Sequence, residues 1–151
     1  LLALDPQRHG QLAVQQVLGP FAVALVDLAG LTSGLLRALA LDIEGLDQMD
    51  QLGAVVLLKG ADTVVTSGSG STYINTTGNP GMATGGSGDV LTGVITAFAA
   101  SGTAPLDAAR AGAFVHGMAG DLAAGIMGQW GMTATDIRDQ LPATLRGIVG
   151  K

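Results

Sequence analysis

In the stretch NTTGNPGMATGGSGDVLTG, from Asn75 to Gly93, six glycines surround a single carboxylate, that of Asp89. Glycine lacks a Cβ, so Gly85, Gly86 and Gly88 let the backbone curl its N–H groups around an anion. Directly after them, Leu91, Val94, Ile95 and Phe98 fall at helical spacing. The glycines therefore open a helix N-terminus, where unpaired N–H groups and about half a positive charge favour phosphate. A carboxylate in that setting repels a bound anion by on the order of 4 kcal/mol at about 4 Å in an effective dielectric of 20. Complementing the helix dipole returns only about 0.3–1 kcal/mol and needs no glycines. Asp89 is thus a candidate acid, base or ligand contact rather than a surface charge.

Two familiar phosphate loops do not fit. A Walker-type loop needs Gly-Lys-Ser/Thr after its glycines, and GGSGD has no lysine. A dinucleotide fingerprint needs G-x-G-x-x-G between a strand and a helix, with an acidic residue further on, and the order here differs.

The elements that must position this loop lie on both sides of it. AVVLLKG, from Ala54, is a short apolar run predicting a strand buried on both faces. DTVVTSGSGSTYIN predicts a hairpin, with β-branched runs flanking a Gly-Ser turn. Beyond the loop, the helix from Asp89 is stopped by Gly102, Pro105 opens a second helix, and TATDIRDQLPATLRGIVG forms a third with Thr133 or Thr135 as N-cap. Nearer the start, HGQLAVQQVLG predicts a helix ended by Gly19, FAVALVD a buried strand, and TSGLLRALALDIEGLDQMDQLG two short helices. Strands among helices indicate a layered α/β fold.

Composition narrows the partners. At 151 residues the chain suits one domain, and 48% apolar with 13% charged residues excludes disorder. A net charge of −5 without a basic run argues against nucleic acid, and no apolar run reaches the roughly 18 residues of a membrane span. A small-molecule ligand is expected. The absence of cysteine excludes thiolate catalysis and fits a cytoplasmic location. The chain opens on LLALD without methionine, as a piece of a longer protein would.

Taken together, LLKGADTVV, NTTGNPGMATGGSGDVLTGVITAF, AGAFVHGMAGDLAA and GMTATDI resemble the C-terminal half of the ADP- or ATP-dependent NAD(P)H-hydrate dehydratases, from about Val55 onward. The resemblance implies an α/β, ribokinase-like three-layer fold, truncated at the N-terminal side. Residues 1–151 would form one partial domain and 54–151 its nucleotide-binding half. It also implies a lyase that repairs hydrated NADH or NADPH, with Mg2+ as cofactor and ADP or ATP as phosphoryl donor. The hydrate hydroxyl is phosphorylated and phosphate is then eliminated.

Carried onto this sequence, the resemblance places Lys59, Gly60, Ala61, Asp62, Thr63 and Gly88 on the nucleotide. Gly86, Ser87 and Gly88 form the anion hole, and Asp89 takes the substrate proton. Asn75 and Asn79 either shape the loop or contact phosphate and metal. His116 reads as a packed side chain more than a base, Asp121 and Asp136 as helix-surface or N-terminal charges, and Tyr73 and Trp130 as packing aromatics.

The family's T-P-H-P-G-E stretch has no counterpart, since LTSGLLRALALDIEGL stands in its place. That keeps two other readings beside the enzyme: a catalytically impaired nucleotide-binding fragment, and a vitamin or sugar-alcohol kinase of the same superfamily. An open sheet lacking strands would expose apolar edges, so a homo-oligomer is expected.

Overall fold

A computed structural model describes residues 13–16, 23–27, 54–67 and 72–150, with side chains for the last two segments. Five strands form one mixed sheet in the order β1-β2-β3-β4-β5. β1 (Ala13–Gln16) runs antiparallel to β2 (Val23–Asp27), and β2 runs parallel to β3 (Val55–Lys59). β4 (Val64–Ser67) and β5 (Thr72–Ile74) continue antiparallel as the expected hairpin. The register sets Leu25 beside Leu57, Leu57 beside Val65, and Val65 beside Tyr73.

One expectation is overturned at the start: the segment read as a helix ending at Gly19 contains strand β1. Its Ala-Val-Gln-Gln core is too short and too weakly periodic to tell the two apart, and pairing along β2 decides it. FAVALVD is a strand, as read. The two helices expected between Thr32 and Gly53 lie outside the described residues.

The apolar run of β3 is buried on both faces because side chains alternate across the sheet. Val55 and Leu57, with Val65 of β4, meet α1 (Ser87–Ala100) through Leu91 and Ile95, while Val56, Leu58 and Val64 are buried as well. α2 (Pro105–Met127) follows a turn through Gly102, whose φ of +93° suits glycine. α3 (Ala134–Val149) starts at Thr133, whose side chain and that of Asp136 form a reciprocal capping box. Ile137 anchors α3 in a second cluster with Met82, Ala119, Ala123 and Met132. Among the described residues no helix is long and apolar enough to cross a membrane.

α2 is the centre of this half, and apart from Val115 and His116 its buried side is made of small residues: Ala108, Ala109, Gly112, Ala113, Gly117, Ala119, Gly120 and Ala123. A Cβ at Gly112 would strike Ile95 of α1, one at Gly117 would strike Thr77, and one at Gly120 would strike Met82. Close approach of neighbouring backbone is what these positions require. Gly125, on the same helix, has nothing within 4 Å of an added Cβ. Gly117→Ala should therefore destabilise the protein by about 1–3 kcal/mol through overpacking. Gly125→Ala should be neutral or stabilise by up to about 1 kcal/mol, because alanine is the better helix former. Urea midpoints of the two variants, measured side by side, check the contrast.

Candidate functional site

The glycine loop leaves β5 at Asn75 and enters α1 at Ser87. Asn75 is buried, and its amide is fully engaged: Nδ2 donates to the carbonyls of Thr77 (3.0 Å) and Ala113 (3.3 Å), while Oδ1 lies 3.1 Å from Thr77 Oγ1 and 3.4 Å from the Tyr73 hydroxyl. Thr77 Oγ1 also lies 3.0 Å from the Phe114 carbonyl, so its one proton serves Asn75 and Phe114 in turn. Gly78 N–H and Asn79 Nδ2 donate to the two oxygens of Asp121 at 2.9 and 3.0 Å. Asn79 Oδ1 in turn accepts from Gly81 N–H and caps a short 3-10 helix, Pro80–Met82. Both asparagine side chains bond to protein groups, and these bonds shape the loop.

The loop ends at Gly86, the N-cap of α1, with a left-handed φ of +85°. A Cβ there would also lie 3.2 Å from the Ala134 methyl, so both backbone and space require glycine. Ser87, Gly88 and Asp89 are the first three residues of the helix, whose N–H groups have no partner four residues back. Ser87 N–H turns to Thr84 C=O (3.3 Å) and Asp89 N–H to Gly86 C=O (3.1 Å). The Gly85 and Gly86 backbone and the Asp89 side chain are exposed, while the Ser87 side chain is buried. This is a solvent-facing helix start with a carboxylate in its first turn, and it can accept an anion and a proton side by side.

The KGADT segment is placed at the end of β3 and in the turn that follows. Thr63 Oγ1 donates to the Gly60 carbonyl at 3.3 Å and receives Gly60 N–H at 3.4 Å, and the Thr63 carbonyl accepts from Asn75 N–H at 2.8 Å. That last bond ties the segment to the first residue of the glycine loop. Lys59 is half-buried and close enough to His116 for its charge to act on the imidazole.

The sequence model of the NAD(P)H-hydrate dehydratases matches residues 17–143. The chain belongs to that family. The match begins well before Val55, where the loop motifs alone had set it. Among relatives of this dehydratase-family chain is the bifunctional NAD(P)H-hydrate repair enzyme of Moorella thermoacetica, 46% identical over 140 residues, covering 93% of this chain and 26% of that protein. The ADP-dependent (S)-NAD(P)H-hydrate dehydratase of Xanthomonas campestris is 37% identical over 143 residues, covering 95% of this chain and 49% of that protein. The chain thus spans half or less of the length of these curated relatives. The fold resembles the ADP/ATP-dependent NAD(P)H-hydrate dehydratase of Bacillus subtilis co-crystallised with ATP/Mg2+, with a TM-score of 0.69 and 25% identity over 83% of this chain and 47% of that one. A ribokinase-like superfamily protein from Enterococcus faecalis superposes with a TM-score of 0.57 and 36% identity over 68% of this chain and 35% of that one. The fold is ribokinase-like, and about half of it is present.

Some assignments of single residues in this dehydratase half change. Asp121 is not a mere surface charge, since it clamps Gly78 and Asn79 across 43 and 42 residues of sequence. Its spacing to the loop offered no local signal. Asp136 is the N-terminal charge expected, its carboxyl held below the usual range by hydrogen bonds from the Thr133 side chain and backbone. Tyr73 packs against the first core cluster, whereas Trp130 is fully exposed at 101% and packs on nothing described. A cavity of about 690 Å³ lies beside Asp89, lined by Val94 and Phe98 of α1 and by Leu141 and Leu145 of α3; Lys59–Thr63 do not border it.

His116 is 3% exposed, with Nε2 3.4 Å from Ser87 Oγ. Burial first, then the Lys59 charge, push its pKa down from 6.5 to about 4, with a backbone hydrogen bond to Ser87 acting in the opposite sense. A folded pKa below the unfolded one means that the unfolded chain takes up the proton first. Stability from this group is full above about pH 6.5 and declines toward pH 4, by about 3 kcal/mol in all, which urea midpoints along that range would register. His116→Gln, which cannot titrate, should flatten that limb.

Proposed function

We propose that this chain supplies the nucleotide half of an ADP-dependent dehydratase acting on hydrated NADH or NADPH. The observation that carries the reading is the start of α1: a left-handed Gly86, the exposed glycine backbone and Asp89 in the first turn, on a chain of this family. In this reading Gly86, Ser87 and Gly88 offer N–H groups to the transferring phosphoryl group, where fixed donors stabilise developing charge. Lys59, Gly60, Ala61, Asp62 and Thr63 line the nucleotide from the end of β3, joined to the loop through the Thr63–Asn75 bond.

Asp89 takes the proton of the hydrate hydroxyl, and the oxygen attacks the terminal phosphorus of ADP, releasing AMP. Phosphate then leaves from the new ester with the C–O bonding pair, the C–H pair of the adjacent ring carbon restores the double bond of the dihydronicotinamide, and the ring proton goes to the departing phosphate. Asp89 returns its proton to water, which closes the proton count.

Among the described residues no group of three or more His, Cys, Asp or Glu side chains could hold a metal. Magnesium is ordinarily held by one or two carboxylates together with substrate phosphates rather than by a protein cage. Asp89 is the carboxylate nearest the phosphate loop in sequence. When bound with the nucleotide, Mg2+ neutralises phosphate charge. The exposed apolar side chains of Ile126, Met127 and Trp130 at the end of α2 and beyond fit self-association as part of the same reading.

Calorimetric titration of ADP·Mg2+ into the parent and an Asp89→Ala variant tests the proposal, followed by hydrated NADPH with absorbance of the reduced nicotinamide as readout. The parent should bind. The variant should still bind ADP through the loop N–H groups and the Lys59–Thr63 segment, yet lose recovery of absorbance by about 10²–10⁴-fold. A parent chain that takes up no ADP would sink the reading.

A further inference from the structure

The proposed chemistry leaves His116 unused, although it is a fully buried polar side chain of α2 with a partner in the anion loop. That partner, Ser87, is 1% exposed, and its Oγ lies 3.4 Å from His116 Nε2. Ser87 is the first residue of α1 and sits between Gly86 and Gly88. In Gly85-Gly86-Ser87-Gly88 it supplies the one side chain, so it is the only side-chain tether through which that tetrapeptide can be held from behind. Gly86 itself can adopt many other conformations at little cost, and its backbone alone does not fix the aim of the turn.

We infer that His116 is a positioning residue for the anion site: by holding Ser87 Oγ inward, it fixes the turn that Ser87 and Asp89 N–H close on Thr84 and Gly86, and so aims the N–H groups of Gly86 and Gly88 toward a bound phosphate. Its effect on nucleotide rests on the function proposed above; its effect on the turn does not. The ring suits the task because a neutral imidazole has one donor and one acceptor and engages a hydroxyl in either tautomer. Burial and the charge of Lys59 on β3 keep it neutral at ordinary pH. Around it α2 is cut back to Gly112, Ala113, Gly117 and Gly120, so α1 and the loop come close enough for the contact. At the far end of the same loop, Asp121 holds Gly78 and Asn79. One helix therefore grips the loop at both ends, and the His116 grip is the one next to Asp89.

The test combines amide hydrogen exchange with ADP·Mg2+ titration in the parent, His116→Phe, His116→Gln, Ser87→Ala and the Ser87→Ala/His116→Phe double variant. The amides of Ser87, Asp89 and Val90 donate to Thr84 and Gly86 carbonyls and report the turn; that of Ile137 in α3 reports the rest. In His116→Phe and Ser87→Ala, exchange at the three turn amides should rise by about tenfold relative to Ile137, and ADP affinity should fall by a similar factor. The double variant should be no worse than His116→Phe, which removes both the Oγ contact and the backbone bond to Ser87. His116→Gln, which can still reach the hydroxyl, should restore most of both readouts.

A uniform rise that includes Ile137, or unchanged turn amides in folded Ser87→Ala, would overturn the inference and leave His116 as core packing. Should His116→Phe fail to fold, Ser87→Ala decides alone. ADP binding by the parent with indifferent variants would also overturn it, whereas a parent that ignores ADP removes the function and leaves the exchange result to decide the positioning.

Discussion

The close approach of α2 to the glycine loop is the constraint from which the rest of this half-domain follows. A loop that must present backbone N–H groups to solvent cannot bury its own side chains, so it has little hydrophobic surface with which to hold itself in place. It is held by a helix with almost no side chains in the way. Gly117 admits Thr77 and Gly120 admits the Met82 side chain. The hydrogen bonds of Asn75, Thr77, Gly78 and Asn79 then reach α2 directly, at Ala113, Phe114 and Asp121. An Ala and Gly content that looks like low information in the sequence is a packing requirement in the fold.

Electrostatics follows the same division. The groups that meet the loop from behind are neutral and buried, Asn75 and His116, or lie at its outer edge, Asp121. Charge is carried at the exposed start of α1, where Asp89 sits against a helix dipole that favours it. In the function proposed above, backbone groups take the anion and the carboxylate takes the proton. Such a carboxylate is suited to moving a proton.

Much of this was legible beforehand because it is local. The β3 run, the β4–β5 hairpin, the loop ahead of α1, Pro105 opening α2 and Thr133 capping α3 each have signals within a few residues. β1 was misread because Ala13–Gln16 has no periodicity to distinguish a strand from a helix, and pairing with β2 supplies the missing term. Trp130 was read as packing because a lone aromatic usually packs, and here it is exposed. The reach of the family match to residue 17 was also missed, since the motifs with recognisable chemistry all lie beyond Lys59.

The sequence by itself determined that a glycine-rich anion loop enters a helix with Asp89 in its first turn, because glycine placement and helical periodicity act over neighbouring residues. It also determined the family, through long ordered motifs on either side of that loop. Only the tertiary structure decided what holds the loop. The partners of Asn79 and Ser87 lie 42 and 29 residues away, at Asp121 and His116. Contacts of that range depend on how two helices and a sheet edge pack, and no local pattern encodes them.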